Sequence, residues 1–91
     1  GNLVHDNTVG GIDASSNVLV VGNTVWGHAG VNDYGISVSS NSSAWDNVVY
    51  GNYIGISASN TGSVNRNRVY ANTSWGITAS SVNLSGNVVY S

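Results

Sequence analysis

Apolar residues return along this chain in short alternating runs, and the runs recur at a nearly fixed interval. Asn2, Asn23, Asn47, Asn67 and Asn87 each open a near copy of one segment, at spacings of 21, 24, 20 and 20 residues. Two residues after each asparagine stands a valine: Val4, Val25, Val49, Val69 and Val89. Each complete copy goes on to a Gly-Ile pair (Gly11-Ile12, Gly35-Ile36, Gly55-Ile56, Gly76-Ile77), followed two residues later by Ala14, Val38, Ala58 and Ala79. Apolar side chains two apart share one face of a strand. A third inward column, Val20, Ala44, Val64 and Leu84, precedes the next asparagine, with Val18, Ser42, Gly62 and Val82 as less regular companions.

Each copy therefore predicts three short strands, and self-similarity at this period makes each copy one coil of a solenoid. Equivalent strands of successive coils pair in parallel, and crossovers between parallel strands are right-handed in about 98% of cases. The expectation is an all-β, right-handed parallel β-helix with coils at approximately 1–21, 22–45, 46–65 and 66–85 and a fifth beginning at 86–91. Coil lengths that vary from 20 to 24 residues do not suit the hexapeptide period of left-handed β-helices. Neither end shows a capping helix, a proline or a change of composition, so flanking coils or neighbouring copies are expected to cover the open ends.

Composition narrows the function classes. The chain has no Cys, so it makes neither a disulfide framework nor a thiolate metal site, and no metal or cofactor is expected. Two Arg and four Asp are its only formal charges, which argues against nucleic acid as a partner. No apolar run reaches the roughly 18 to 20 residues of a membrane span, so no membrane insertion is expected. The chain begins with Gly and starts and stops in the same part of the repeat, as a piece of a longer protein would.

The pattern Asn-x-Val-aromatic-x-Asn followed by Gly-Ile-x-Ala-Ser resembles the parallel β-helix repeats of the pectate-lyase-like superfamily. It is similar to the repeats of carbohydrate-binding and sugar-hydrolase domains, mannuronan-epimerase-like proteins and NosD-like proteins. The resemblance covers all four coils and implies an extracellular, cell-surface or periplasmic solenoid in contact with polysaccharide. Repeats of this kind occur in lyases, hydrolases, epimerases, adhesins and scaffolds alike, and no DPH-type epimerase motif or lyase-like basic cluster is present here.

Among individual residues, the leading asparagines and a second column, Asn7, Asn52 and Asn72, suit a stacked amide ladder that satisfies backbone groups between coils. His28 interrupts the second column, at the start of the one long insertion, HAGVNDYG. With Asp33, Tyr34 and Asp13 nearby, His28 has the residue types of general acid/base chemistry on a sugar; it equally suits a turn hydrogen-bonder in place of Asn. The strand after each asparagine carries outward Leu3, Thr24, Val48, Arg68 and Val88 on one side of the valine and His5, Trp26, Tyr50, Tyr70 and Tyr90 on the other. The aromatic column is a candidate surface for a sugar or a neighbouring solenoid, or an internal stack between rungs. After each Gly-Ile the outward residues are Asp13, Ser37, Ser57 and Thr78, then Ser15, Ser39, Ser59 and Ser80, a hydroxyl-rich face. Asn41, Asn72 and Asn83 begin glycosylation sequons.

Two functions fit these features. The first is an extracellular structural or adhesive segment that self-associates end to end or laterally. The second is a fragment or sugar-binding extension of a polysaccharide lyase, hydrolase or epimerase. Scarcity of catalytic groups favours the first.

Overall fold

The computed structural model describes residues 3–7, 10–60 and 62–90, without the side chains of Leu3 and His5. Asn2 of the first ladder and the side chain of His5 in the aromatic column therefore lie outside the described residues. Short β-rich segments separated by turn-forming Asn, Ser, Gly and Asp give strands and no helix among the described residues: β1 (Leu3–His5), β2 (Gly10–Ser15), β3 (Leu19–Val21), β4 (Thr24–Trp26), β5 (Tyr34–Ser39), β6 (Ser43–Trp45), β7 (Val48–Tyr50), β8 (Ile54–Ser59), β9 (Ser63–Asn65), β10 (Arg68–Tyr70), β11 (Trp75–Ser80), β12 (Asn83–Ser85) and β13 (Val88–Tyr90). They form three parallel sheets, β1-β4-β7-β10-β13, β2-β5-β8-β11 and β3-β6-β9-β12. The molecule is a β-solenoid of about four turns, each turn contributing one strand to every sheet.

Register follows the apolar columns. Val4, Val25, Val49, Val69 and Val89 are direct partners along the first sheet. Ile12, Ile36, Ile56 and Ile77 align along the second, with Ala14, Val38, Ala58 and Ala79 two positions on. Val20, Ala44, Val64 and Leu84 complete the third. All the inward valines, isoleucines and alanines from β4 to β10 are buried. Burial declines toward the last coil, where Leu84 and Val89 are 51% and 49% exposed.

One position departs from the sequence reading. Val18 does not join the inward column but is largely exposed, while its counterpart Ser42 is buried and accepts the Val18 N–H on Oγ at 3.1 Å. A hydroxyl at this corner satisfies a backbone donor that an apolar side chain would leave unpaired.

Each corner turns through left-handed backbone. Gly22, Asp46, Arg66 and Gly86 hold positive φ between the third and first sheets; Asp6, Gly27, Gly51 and Ala71 do so between the first and second. Asn and Asp tolerate this region better than other L-residues, and Gly adopts it freely. At the Gly-Ile pairs glycine is required for closeness instead: a Cβ on Gly55 would lie 2.6 Å from Val69 Cγ1 and 2.8 Å from Asn72 Nδ2.

The long second coil has a simple explanation. Adjacent residues of the next coil, Tyr53 and Ile54, donate their N–H groups to His28 O and Asp33 O at 2.8 and 2.9 Å. The four intervening residues, Ala29 to Asn32, are thus extruded as an exposed loop, closed by Asp33 N–H to Gly30 O at 2.9 Å.

Candidate functional site

The Asn columns set the internal polar framework. Asn47 Oδ1 accepts both the backbone N–H and the side-chain N–H of Asn23, at 2.9 and 3.2 Å. Asn67 Oδ1 does the same for Asn47, at 2.9 and 2.9 Å, and Asn87 Oδ1 for Asn67, at 3.0 and 3.0 Å. The second amide hydrogen of each reaches the coil before it: Asn47 to Val20 O, Asn67 to Ala44 O and Asn87 to Val64 O, at 3.0, 2.8 and 2.7 Å. Every rung therefore presents an acceptor toward the N-terminal side and donors toward the C-terminal side. The ladder has a direction.

His28 belongs to the companion ladder. It is fully buried; its backbone N–H donates to Asn52 Oδ1 at 3.1 Å, and its Nδ1 lies 2.9 Å from the same oxygen. Its Nε2 faces Asn7 Nδ2 at 3.1 Å. Since a carboxamide oxygen only accepts and an amide nitrogen only donates, Nδ1 carries the proton and Nε2 accepts. Asn52 in turn donates its N–H and Nδ2–H to Asn72 Oδ1, at 3.0 and 3.2 Å. The ring thus reproduces the polarity of the asparagine it replaces, with both nitrogens engaged by amides inside the wall.

The other acid/base candidates assemble elsewhere. Tyr34 is not part of the loop but the first residue of β5, in register with Gly10 and Ile54. Burial raises the pKa of its phenol, and Asp13, as a neighbouring charge and hydrogen-bond acceptor, and then Asp33 raise it further. That phenol remains a protonated donor to Asp13 at neutral pH. Among the described residues no group of three or more His, Asp, Glu or Cys could hold a metal ion.

The aromatic column stacks on itself. Trp26-Tyr50, Tyr50-Tyr70 and Tyr70-Tyr90 have ring centroids 5.7, 5.0 and 5.2 Å apart and interplanar angles of 4°, 11° and 8°. Both faces of Tyr50 and Tyr70 are covered by neighbouring rings, leaving edges and hydroxyls toward solvent. Arg68 lies over the last two rings, with Nε donating to Tyr90 OH at 2.8 Å. At the corner before it, Arg66 clasps Asp46 through Nε to Oδ1 at 2.9 Å and Nη2 to Oδ2 at 3.2 Å, and lies over Trp45. The 20-residue offset between Asp46 and Arg66, one coil apart at one corner, is the sequence signal that pairs them.

Two surfaces remain open. On the second sheet, Ser15, Ser39, Ser59 and Ser80 align rung by rung beside Ser37, Ser57 and Thr78. The strand-initial column Tyr34, Ile54 and Trp75 flanks them, and Trp75 is 59% exposed. The glycosylation candidates Asn41 and Asn83 are exposed, whereas Asn72 holds its place in the ladder. At the C-terminal end the core itself opens into a cup of about 420 Å³ lined by Ile77, Leu84, Ser85, Gly86, Asn87 and Val89. Its floor is apolar, its rim carries the last strand edges, and its lining has one hydroxyl, Ser85, with no acid or base beside it among the lining residues. Such a surface suits the next coil of a solenoid better than a reaction.

No family model, no curated protein and no solved structure matches this chain.

Proposed function

We propose that this chain is an extracellular or cell-surface structural segment, adhesive in role, whose solenoid is lengthened by stacking end to end. What supports the reading is the last described rung, where apolar residues stand beside strand edges that a further rung, of this polypeptide or of a second copy, would cover. End-to-end contact is favoured over lateral contact because the aromatic column is already stacked within the molecule. Burying the half-exposed Leu84 and Val89 alone would contribute about 1 kcal/mol each, before any pairing of backbone groups. In negative-stain electron microscopy at high protein concentration, the chain is expected to form rods longer than one molecule. Leu84→Asp, which places a charge on the open floor, should abolish them; rods that persist unchanged would rule out this end as the contact.

A polysaccharide contact is the second reading, and the geometry favouring it lies on the second sheet. There an exposed indole at Trp75 borders flat columns of serine hydroxyls, a pairing of stacking platform and hydrogen-bonding groups that suits a sugar. Titration with acidic and neutral oligosaccharides tests it through tryptophan fluorescence. Quenching that Trp75→Ala removes would support it, and an unchanged spectrum would reject it.

A further inference from the structure

Among the described residues of the companion ladder, His28 is the one member whose hydrogen bonding a proton can change. Asn7, Asn52 and Asn72 are carboxamides, whose oxygens accept and whose nitrogens donate in acid as at neutrality. An imidazole gains a second N–H in mildly acidic solution, and both of its nitrogens then donate. The two sides of the ring answer differently. Toward Asn52 nothing changes: Nδ1 already donates to Oδ1 at 2.9 Å, and the His28 backbone N–H fixes that oxygen as an acceptor at 3.1 Å. Toward Asn7 the bond is lost, because the new Nε2–H meets Asn7 Nδ2, itself a donor, at 3.1 Å.

The surroundings leave the charged ring little escape. Turning the ring over restores nothing, since both nitrogens are donors. Nor is there room to retreat: a Cβ on Gly11 would stand 3.0 Å from His28 Cε1, the same close seat that Gly35 and Gly55 give Asn52 Nδ2 and Asn72 Nδ2, at 2.7 and 2.8 Å. The side chain is fully buried, and carboxamides rather than carboxylates engage both ring nitrogens, so no hydrogen-bonded anion offsets the added charge. The ionisable groups on the elements around it are His5 at the end of β1, Asp6 at the following corner, Asp13 on β2, Asp33 and Tyr34 beyond the loop, and Tyr53 on the next coil. Asp6 Oδ1 packs against Gly27, the residue before His28.

We propose that His28 makes the corner between β1 and β2 an acid-sensitive joint: a proton on Nε2 opens the link to Asn7 and loosens that corner, while the rungs from His28 to Asn72 hold. Linkage gives the sign. The closed corner holds the neutral ring and the open one admits the second proton, so the open form binds more protons and the stability of the corner falls as pH falls.

Amide hydrogen exchange of the whole chain, resolved by residue with NMR and expressed as protection factors at about pH 7.5 and about pH 5, tests this. On acidification the Asp6 N–H, which donates to Trp26 O at 3.3 Å, and the amides of β1 and β2 are expected to lose protection about tenfold, while those of β8 and β9 keep theirs. The loss should follow the shifts of the His28 ring, with the Asn7 side-chain amide signals moving in step. In His28→Asn, which keeps the order of donor and acceptor without a titrating group, this pH dependence is expected to vanish. A loss that persists in that variant, or that tracks Asp6, Asp13 or His5 in the parent, would overturn the proposal. So would a His28 ring that takes its proton while the corner stays equally protected, the Asn7 amide having turned over to accept from it. A ring that stays neutral at about pH 5 would overturn it too.

Discussion

His28 shows how a residue with catalytic chemistry can be recruited for geometry. Its ring offers an acceptor toward Asn7 and a donor toward Asn52, the same order in which each asparagine offers Oδ1 and Nδ2. His28→Asn is therefore expected to fold with stability within about 1 kcal/mol of the parent, whereas His28→Leu orphans buried amide groups at about 1–3 kcal/mol each; chemical denaturation separates the two. Nitrogen-15 chemical shifts of the imidazole at mildly alkaline pH should show the Nδ1-protonated tautomer. An Nε2-protonated ring would contradict the ladder assignment. The break in the column was legible in the sequence. Which way the ring nitrogens point was not, because that depends on amide groups 21 and 24 residues away. A second residue-scale expectation concerns Ala71, held at φ 53° at its corner. Left-handed backbone costs a non-glycine residue about 1–2 kcal/mol, and glycine's extra unfolded entropy offsets about 0.5–1 of this. Ala71→Gly should thus stabilise by up to about 1 kcal/mol, read as a melting temperature a few degrees higher. The Arg66 hydrogen bonds hold the Asp46 carboxyl below the usual carboxylate range. A depressed folded-state pKa means that the ion pair's small contribution is present above the ordinary aspartate range and lost as pH falls through the folded value.

At the scale of strands and columns, stability is shared between an apolar spine and an amide spine. Ile56→Ala, at a fully buried site, is expected to cost about 2–5 kcal/mol. Asn47→Ala removes the acceptor for two Asn23 donors and the donors to Val20 O and Asn67 Oδ1, four interactions lost at about 1–3 kcal/mol for each buried group left unpaired. Against a total stability of about 5–15 kcal/mol, this polar substitution should be as damaging as the apolar one. Urea denaturation monitored by circular dichroism checks the comparison; a loss below 1 kcal/mol for Asn47→Ala would show that the ladder is incidental. The columns were readable because two periodicities reinforce each other: alternation within a strand and recurrence from coil to coil. The loop was only partly readable. The sequence announces extra residues after Gly27, but only the pairing of Tyr53 and Ile54 with His28 and Asp33 shows that Ala29 to Asn32 are the ones expelled and that Tyr34 belongs to β5. Self-stacking of the aromatic column was one of the alternatives the sequence left open, since outward rings on adjacent rungs read alike whether they meet a partner or one another.

For the whole molecule, one property dominates: the structure is translationally repetitive but directional. Parallel strands and the one-way amide ladder both give the solenoid a direction. A solenoid buries its core only between coils, so the last described rung leaves apolar residues exposed that a further rung would bury. The proposed structural role requires end-to-end growth of the solenoid. Sedimentation velocity over a wide concentration range tests it most directly, with Leu84→Asp run beside the parent chain. Species that grow steadily with concentration are expected for the parent and a monomer for the variant; a parent chain that sediments as a monomer throughout, indistinguishable from Leu84→Asp, would contradict end-to-end growth.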